Sequence, residues 1–322
     1  MQTPSISIIM PIYNCEAYVE NAILSIIEQT FTSWELIAVD DGSTDNSSSI
    51  LERLASSDAR IKVHHQKNAG VSAARQSGLD KTKGKYIIHV DADDWVEPNY
   101  LQELYDTIET TRADMVWCDA YVNESGVWKQ PCQPNVDILL HSLLQQKIWG
   151  TLWNRLWRAE ICKRESFLIN CSMWEDLSFV FKCLLHAKSI AYLPKPLYHY
   201  RMNENSLTHT QQQKEISVEH QKVIADIENA LQKSGKLQEY NVDLTGLKLH
   251  AIRDYIDDVR FRSYDKFLNT YPEAIQNIWE YKNYPNRLKV TAWLLQRNLK
   301  CLVPLVLKFD GLLRKLGLSK QI

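Results

Sequence analysis

The sequence predicts an α/β fold in which a mostly parallel sheet is flanked by helices and followed by a helical C-terminal extension. Over the first 120 residues, short apolar runs alternate with helical patterns, as they do in successive β-α-β units. Polar side chains follow the carboxyl ends of several of these runs, at the edge where open α/β sheets bind ligands. After residue 211 the pattern is helical and poor in glycine and proline until Pro272.

The apolar runs predict strands, and the amphipathic runs between them predict helices. Strands are expected at residues 5–10, 35–39, 61–65, 86–90 and 115–118. Helices are expected near residues 17–29, 47–56, 71–81 and 99–110, with a further helical run at 177–188. The succession of these elements predicts a sheet whose strands are joined by crossover helices.

The composition is that of a soluble globular protein of 322 residues, enough for one large domain with an extension or for two modest domains. A formal net charge of -2 gives no global attraction to nucleic acid, so we predict no nucleic-acid partner. The seven cysteines are scattered without a CxxC pair, which favours a reduced, cytoplasmic setting. The opening residues are expected to be a strand and not a signal peptide, and no apolar run reaches the roughly 20 residues of a spanning helix.

Asp91, Ala92, Asp93 and Asp94 follow a predicted strand and form the candidate metal site. In extended backbone, residues two apart point the same way, so the carboxylates of Asp91 and Asp93 are expected to face one point. Such oxygen ligands suit Mg²⁺ or Mn²⁺, which complete their coordination with water and phosphate oxygens. A diphosphate ligand is therefore implied. Taken alone, the run fits turn formers or helix caps at least as well, and Asp94 is expected to be a cap.

A second acidic run, residues 40–45, ends another predicted strand. Gly42 permits a tight turn that would present a carboxylate to a base or a ribose. The run fits equally well a strand-to-helix loop in which Asp45 caps the next helix. A dinucleotide-dependent oxidoreductase is disfavoured, because residues 10–14 contain no glycine-rich turn after the first strand.

Taken in order, these runs resemble those of family 2 glycosyltransferases with the GT-A fold. The match passes through residues 11–14, 39–45, 68–75 and 91–94, and it continues more loosely to about residue 210. The resemblance implies a metal-dependent, inverting transferase of hexosyl or N-acetylhexosaminyl groups. The expected donor is a UDP-sugar, and the expected acceptor is a glycan or lipid-linked glycan in surface polysaccharide, lipopolysaccharide or teichoic-acid synthesis.

The resemblance also sets the expected domains. Residues 1–210 would form the GT-A catalytic domain, with a nucleotide-sugar half at 1–120 and an acceptor-side half at 121–210. Residues 211–322 would form the helical C-terminal region. Two other functions stay open: a non-catalytic scaffold that binds nucleotide sugar or glycan, and a sugar-phosphate nucleotidyltransferase, which also binds its nucleotide at a sheet edge.

By this resemblance, the nucleotide-sugar site is assigned residue by residue. Tyr13 would stack on the nucleobase, and Asp41 would accept a hydrogen bond from its ring N–H. Arg75 would hold the donor phosphate or sugar, a role that suits its forked and permanently charged guanidinium. The same pocket would also be lined by Pro11, Glu16 and Asn68.

The metal site is assigned in the same way. Asp93 would be the main ligand of Mg²⁺ or Mn²⁺, and Asp91 would contact ribose and metal-bound water. Arg201 would contact the diphosphate. His199 is a candidate metal ligand, although a histidine between two tyrosines is more often structural. Gln76 stands where the family pattern has asparagine.

Glu175 and Asp176 are the candidate catalytic pair. By resemblance, Asp176 would be the general base that takes the acceptor hydroxyl proton, and Glu175 would position it or the acceptor. The alternative is an acidic first turn that stabilises a helix through its dipole. The stretch 149–157 also resembles the family, and its tryptophans are either a sugar-stacking wall or core residues.

The C-terminal tail, residues 287–322, carries eight basic side chains and one acidic one, Asp310, among many leucines. Basic amphipathic helices lie in the interface of anionic membranes, and this would place the protein at the inner face of the cell membrane. Apolar periodicity does not name the partner, so the leucines could equally pack on the catalytic domain or on a second copy of the chain.

Overall fold

The structure is a computed structural model that describes residues 3–122, 126–129, 133–202, 216–258, 260–281 and 284–315. The chain divides into two units. The first contains Met1–Leu143 and Lys147–Gln212, and the second contains Leu144–Gln146 and Gln213–Ile322. The first unit holds the sheet, and the second is helical.

The sheet of the first unit is mixed, and parallel pairing dominates its N-terminal half. Among the described residues, it contains nine strands: β1 (Ile6–Ile12), β2 (Trp34–Asp40), β3 (Ile61–His65), β4 (Tyr86–His89), β5 (Trp95–Val96), β6 (Met115–Val122), β7 (Gly126–Trp128), β8 (Arg155–Arg158) and β9 (Ile190–Tyr200). The order is β3-β2-β1-β4-β8-β6-β9-β5, with β7 paired to β6. The ladders joining β3, β2, β1 and β4 are parallel, as is β6 with β9, whereas β8 pairs antiparallel with β4 and β6.

The helices of the first unit lie close to their predicted positions. They are α1 (Val19–Ile27), α2 (Ser47–Ser57), α3 (Val71–Lys81), α4 (Tyr100–Thr111), α5 (Val136–Leu144), α6 (Ala159–Cys162) and α7 (Glu175–His186). The last residue of α5 belongs to the second unit. The predicted succession of strands and helices over the first 120 residues is confirmed, and most ends shift by no more than two residues. Strand β6 extends four residues beyond its predicted end, and the two-residue strand β5 was not predicted.

The central strands are buried on both sides because helices cover both faces of the sheet. Ile8 and Met10 of β1 pack into the core cluster that contains α1 and α4. Ile37 and Val39 of β2 pack against Ala74 of α3 on the other face. Strands covered in this way consist of nearly continuous apolar residues, which is why their sequences are so easily recognised.

The second unit is built from helices around its own core. They are α8 (Ile216–Lys233), α9 (Leu237–Ala251), α10 (Asp254–Asp257), α11 (Tyr264–Asn269), α12 (Pro272–Gln276), α13 (Asn286–Gln296) and α14 (Val303–Lys315), with a 3₁₀ turn at Lys300–Leu302. Leu249, Phe267 and Leu288 lie at the centre of this core. Within the described ranges, no helix is both long enough and apolar enough to span a membrane.

Candidate active site

The loops that follow β1 and β2 hold each other through reciprocal hydrogen bonds. The Asn14 Oδ1 atom accepts from the Thr44 N–H at 2.8 Å, and the Glu16 Oε2 atom accepts from the Asn46 N–H at 2.9 Å. In return, Asp45 Oδ2 accepts from the Glu16 N–H at 2.9 Å. Asp45 also accepts from the Ser47 N–H at 3.0 Å, but the N-cap of α2 is Asn46 and not Asp45, which the helix-cap interpretation expected. Glu16 is exposed and links the two loops through hydrogen bonds. Its predicted contact with the nucleobase pocket stays a prediction.

Tyr13 lies at the rim of the same loop pair, with 49% of its surface exposed. Pro11, near the end of β1, is partly buried. Asn68 is exposed in the loop between β3 and α3. An aromatic ring left on the surface beside two rigid loops is suited to stack on a planar ligand. The predicted contact of Tyr13 with a nucleobase stays a prediction.

Asp41 is buried, and its carboxylate organises the loop before α3. It accepts from the backbone N–H groups of Ala69 at 2.9 Å and Gly70 at 2.8 Å, and from Gln66 Nε2 at 2.7 Å. Gly42 has a φ of +74°, and a Cβ atom there would lie 2.9 Å from the Asn68 backbone nitrogen. Only glycine fits this turn without displacing the loop. A carboxylate has about four acceptor sites, so Asp41 retains capacity for the predicted base contact.

The segment that contains Asp91 and Asp93 is a turn and not the extended backbone expected from the sequence. Strand β4 ends at His89, and the Asp94 N–H donates to the Asp91 carbonyl at 3.2 Å. Both carboxylates lie on this tight turn, which we call the DxD turn (residues 91–94). The side chains of Asp91 and Asp93 were expected to point the same way because residues alternate along a strand. That reasoning was wrong, because the chain has left the strand before Asp91.

Asp94 fastens the DxD turn to β9, which corrects the expectation of a helix cap. Its buried carboxylate accepts from Tyr198 Oη at 2.7 Å and from the Arg201 N–H at 2.7 Å. Helix α4 begins after Asn99 instead. Burial, with the neighbouring charges of Asp93 and Asp91, raises the pKa of Asp94 well above its usual range.

Tyr198 completes this connection and is a residue that the sequence reasoning did not single out. Its hydroxyl oxygen also accepts from the Asp91 N–H at 3.1 Å. Arg201, predicted to contact a diphosphate, donates from Nε to the Asp93 carbonyl at 3.0 Å. The predicted phosphate contact therefore lies directly beside the predicted metal ligand Asp93.

The DxD turn adjoins the loop after β1. Burial, together with the negative charges of Asp93, Asp45 and Asp91, raises the pKa of the Cys15 thiol to about 11. Such coupling requires these carboxylates to lie close to Cys15. The DxD turn therefore lies near the loop that carries Tyr13 and Glu16.

Arg75 joins the DxD turn to the first turn of α7. This buried side chain donates from Nη2 to Asp91 Oδ1 at 3.0 Å and from Nη1 to Glu175 Oε1 at 2.6 Å, across 100 residues of sequence. Its Nε atom has no hydrogen-bond partner among the described residues. The forked guanidinium therefore holds two carboxylates at a fixed separation. Its predicted contact with donor phosphate or sugar stays a prediction.

Asp176 lies beside Glu175 in the first turn of α7. Its Oδ1 atom accepts from the Leu177 N–H at 2.7 Å. Burial, followed by the charge of Glu175, raises the pKa of Asp176 to about 7. A carboxylate with this pKa exchanges protons near neutral pH, which suits a general base. Trp174 begins the helix with a φ of +61°, an uncommon conformation that sets the direction of this turn.

Gly150 positions α7 and was noted in the sequence only as part of a family-like stretch. A Cβ atom on Gly150 would lie 2.5 Å from the Cα atom of Leu177. Below this contact, the buried Arg155 donates to Thr151 Oγ1 at 2.7 Å and to the Trp149 carbonyl at 2.8 Å. Close backbone approach therefore fixes the turn that carries Asp176.

His199 is placed differently from the other predicted metal ligands. Its Nε2 atom lies 2.8 Å from Glu97 Oε1, and its ring stacks between Trp95 at 4.7 Å and Tyr121 at 4.6 Å. Over the described ranges, no group of three or more His, Cys, Asp and Glu side chains forms a metal cluster. Asp91 and Asp93 offer two carboxylates, a donor set that fits Mg²⁺ or Mn²⁺ when phosphate oxygens and water supply the other ligands.

The sheet topology and the site together define a GT-A type nucleotide-binding fold with a helical C-terminal region. The chain belongs to glycosyl transferase family 2, whose model matches residues 7–168. It is 33% identical over 266 residues to EpsH of Bacillus subtilis, which is named as a glycosyltransferase, with 78% of this chain and 76% of EpsH aligned. It is 34% identical over 218 residues to glycosyltransferase GlyA of Streptococcus pneumoniae, where the alignment spans 63% of this chain and 31% of GlyA.

Solved structures agree with this fold. TarS 1–349 of S. aureus in complex with UDP-GlcNAc superimposes with a TM-score of 0.72 at 18% identity, covering 98% of this chain and 93% of TarS. The mannosyltransferase PcManGT of Pyrobaculum calidifontis, in complex with GDP-Man and Mn²⁺, superimposes with a TM-score of 0.53 at 15% identity. The match covers 92% of this chain and 86% of PcManGT. At these identities the structures support the fold alone, and it is the family match that makes the chain a glycosyltransferase.

Proposed function

We propose that the protein is an inverting, metal-dependent glycosyltransferase that moves a hexosyl or N-acetylhexosaminyl group from a UDP-sugar to a hydroxyl of a glycan or lipid-linked glycan. The expected process is surface polysaccharide synthesis. One observation carries the proposal: Arg75 ties the carboxylate of the DxD turn to the acidic pair of α7. The candidate metal carboxylates and the candidate base are therefore linked through one guanidinium.

On the donor side, Tyr13 and Asp41 bind the nucleobase, with Pro11, Glu16 and Asn68 around it. Asp93 and Asp91 would hold Mg²⁺ or Mn²⁺, which would supply positive charge to stabilise the departing diphosphate. Arg201 lies beside Asp93 and adds a second positive charge for the same group. The known complex of PcManGT with GDP-Man and Mn²⁺ supports a metal in this fold. His199 is held in place by its hydrogen bond to Glu97 and by stacking on the rings of Trp95 and Tyr121.

On the acceptor side, Asp176 takes the proton of the acceptor hydroxyl. The oxygen then forms a bond to the anomeric carbon as the bond to the UDP oxygen breaks, and the configuration inverts because attack comes from the opposite face. Glu175 is held by Arg75 and keeps the first turn of α7 in place. A positioned base of this kind contributes about 10²- to 10⁴-fold to the rate.

The test is product analysis with a panel of UDP-sugars and Mn²⁺. We expect release of UDP with at least one donor, and thermal stabilisation by that donor of about 2.7 kcal/mol at 100 times its dissociation constant. Asp93→Asn should weaken the Mn²⁺-dependent part of donor binding. Release of pyrophosphate would identify a nucleotidyltransferase, and donor binding without UDP release from any acceptor mixture would identify a binding scaffold.

We propose that the C-terminal tail contacts an anionic membrane. On α14, Leu305 and Phe309 are 63% and 61% exposed, and Lys308 is exposed between them. Asp310 lies 3.3 Å from Arg287 Nε, so the acidic group of the tail is paired. An apolar stripe beside basic side chains suits an anionic bilayer, at about 1 kcal/mol per basic residue near the surface.

Sedimentation with phosphatidylglycerol and phosphatidylcholine vesicles tests this contact. We expect binding to the anionic vesicles and its loss in the double variant Leu305→Asp with Phe309→Asp. Val242→Asp, at an exposed position of α9, is the matched control and should bind like the wild type. Equal sedimentation of all three proteins would contradict the membrane contact, and a dimer that the double variant dissociates would assign the stripe to a second copy.

A further inference from the structure

Trp149 is an exposed indole in a stretch whose other tryptophans are core residues. It is 53% exposed, whereas Trp153 and Trp157 are buried. Its ring is supported on one side by Trp128, with ring centroids 4.7 Å apart. An aromatic ring left in solvent on a rigid support is typical of a ligand-binding surface. The sequence left open whether these tryptophans form the core or a sugar-stacking wall. Trp153 and Trp157 are core residues, whereas the exposed Trp149 is not.

The position of Trp149 places it near the candidate base. Gly150 follows it and makes the close approach to Leu177, the residue after Asp176. With consecutive Cα atoms 3.8 Å apart, the Cα atoms of Trp149 and Asp176 lie within about 12 Å of each other. The Trp149 carbonyl also accepts from Arg155 Nη2 at 2.8 Å, which fixes the backbone at this point. A sugar ring on the indole is therefore within reach of Asp176.

A series of ring contacts connects Trp149 to the DxD turn. We call Trp149, Trp128, Trp153 and Tyr198 the aromatic ladder. Centroid distances along it are 4.7 Å, 5.8 Å and 4.4 Å, and its last ring carries the hydroxyl that binds Asp94 and the Asp91 N–H. Packed rings lose little conformational entropy when a ligand arrives, so the ladder presents Trp149 as a preorganised surface.

We propose that Trp149 is an acceptor platform that stacks on the C–H face of a pyranose ring and so directs one of its hydroxyls toward Asp176. This inference rests on the proposed transferase function and names the acceptor class: a cyclic sugar at the end of a glycan. A pyranose has a flat apolar face that matches an indole, whereas a linear polyol has no fixed face to offer. The exposed ring thereby determines acceptor specificity without touching the donor.

The test is saturation-transfer NMR on the full chain with UDP and Mn²⁺, using cellobiose and chitobiose as probes and sorbitol as the acyclic control. We expect at least one disaccharide, but not sorbitol, to bind the wild type. Trp149→Ala should weaken that binding about tenfold, equivalent to 1.4 kcal/mol. Trp149→Phe should retain most of it. Trp279→Ala, which removes an equally exposed indole of the second unit, should leave it unchanged.

UDP binding, measured in the same samples, separates this inference from the proposed function. We expect all variants to bind UDP like the wild type. Absence of disaccharide binding in the wild type, equal disaccharide binding by Trp149→Ala, or equal binding of sorbitol would overturn the platform. Disaccharide binding that depends on Trp149 in a protein that binds no UDP-sugar would retain the platform and overturn the transferase.

Discussion

Replacing Asp176 with asparagine should abolish most transfer while making the folded protein more stable above neutral pH. Asparagine keeps the shape of the side chain, and its Oδ1 atom can still accept from the Leu177 N–H, now 2.7 Å away. It cannot take a proton from an acceptor hydroxyl. Turnover with any active donor and acceptor should therefore fall by about 10²- to 10⁴-fold, while UDP binding persists.

The gain in stability follows from the pKa of Asp176. Burial and the charge of Glu175 raise this pKa from 3.8 to about 7. The folded protein thus binds the proton more tightly than the unfolded chain, and the free energy of unfolding falls as the pH rises between these two values. Three pKa units correspond to at most about 4 kcal/mol. This destabilisation is fully present at pH 8, nearly absent at pH 4, and removed by Asp176→Asn.

Thermal unfolding without nucleotide or metal, at pH 8 and near pH 5, measures the effect. We expect Asp176→Asn to raise the melting temperature by several degrees at pH 8 and by clearly less at pH 5, since about 1 kcal/mol shifts it by 2–4 °C in a protein of this size class. Asp106→Asn, at an exposed position of α4, is the control and should shift neither value.

A lower melting temperature for Asp176→Asn at pH 8, or an equal increase at both pH values, would refute the reasoning that this carboxylate is held in an unfavourable charged state. Unchanged turnover would refute its assignment as the base. The two results are independent, because a strained carboxylate and a catalytic one need not coincide.

Three further variants test how the site is positioned. Tyr198→Phe removes the hydroxyl that holds Asp94 and should weaken Mn²⁺-dependent donor binding about tenfold by calorimetry, since an unsatisfied buried partner costs about 1–3 kcal/mol; unchanged affinity would contradict this. Gly42→Ala forces a Cβ against the Asn68 backbone and should reduce UDP affinity, whereas Asn46→Ala should have less effect. Gly150→Ala should displace α7, lower the free energy of unfolding by about 1–3 kcal/mol and lower kcat, while UDP affinity stays the same. A normal kcat would show that the helix accommodates the methyl group.

The sequence predicted the first half of the sheet well and the second half poorly. Strands β1, β2 and β4 are buried on both faces and so are continuous apolar runs. Strand β9 contains Pro194 and Pro196, which argue against an interior strand because proline cannot donate to the ladder. The structure accommodates them with a register shift in which Asp119 pairs with Pro196. Strand β5 has two residues, too few for any periodicity.

Single residues of the site were easier to predict than the contacts between them. Asp91 and Asp93 stand out because they follow an apolar strand, but the turn they form depends on a hydrogen bond that the sequence does not specify. The contact of Arg75 with Glu175 spans 100 residues, and no local pattern contains that information. Tyr198 was passed over because its role depends on hydrogen bonds to Asp91 and Asp94, more than 100 residues away in the sequence.

The strain at Asp176 also bears on whether the protein is a transferase or a binding scaffold. A protein that only binds nucleotide sugar derives no benefit from keeping a second carboxylate beside Glu175, at a loss of up to about 4 kcal/mol of stability near pH 8. Groups with strongly perturbed pKa values persist where the chemistry requires them. The acidic pair held by Arg75 is therefore the feature that most favours catalysis over binding alone.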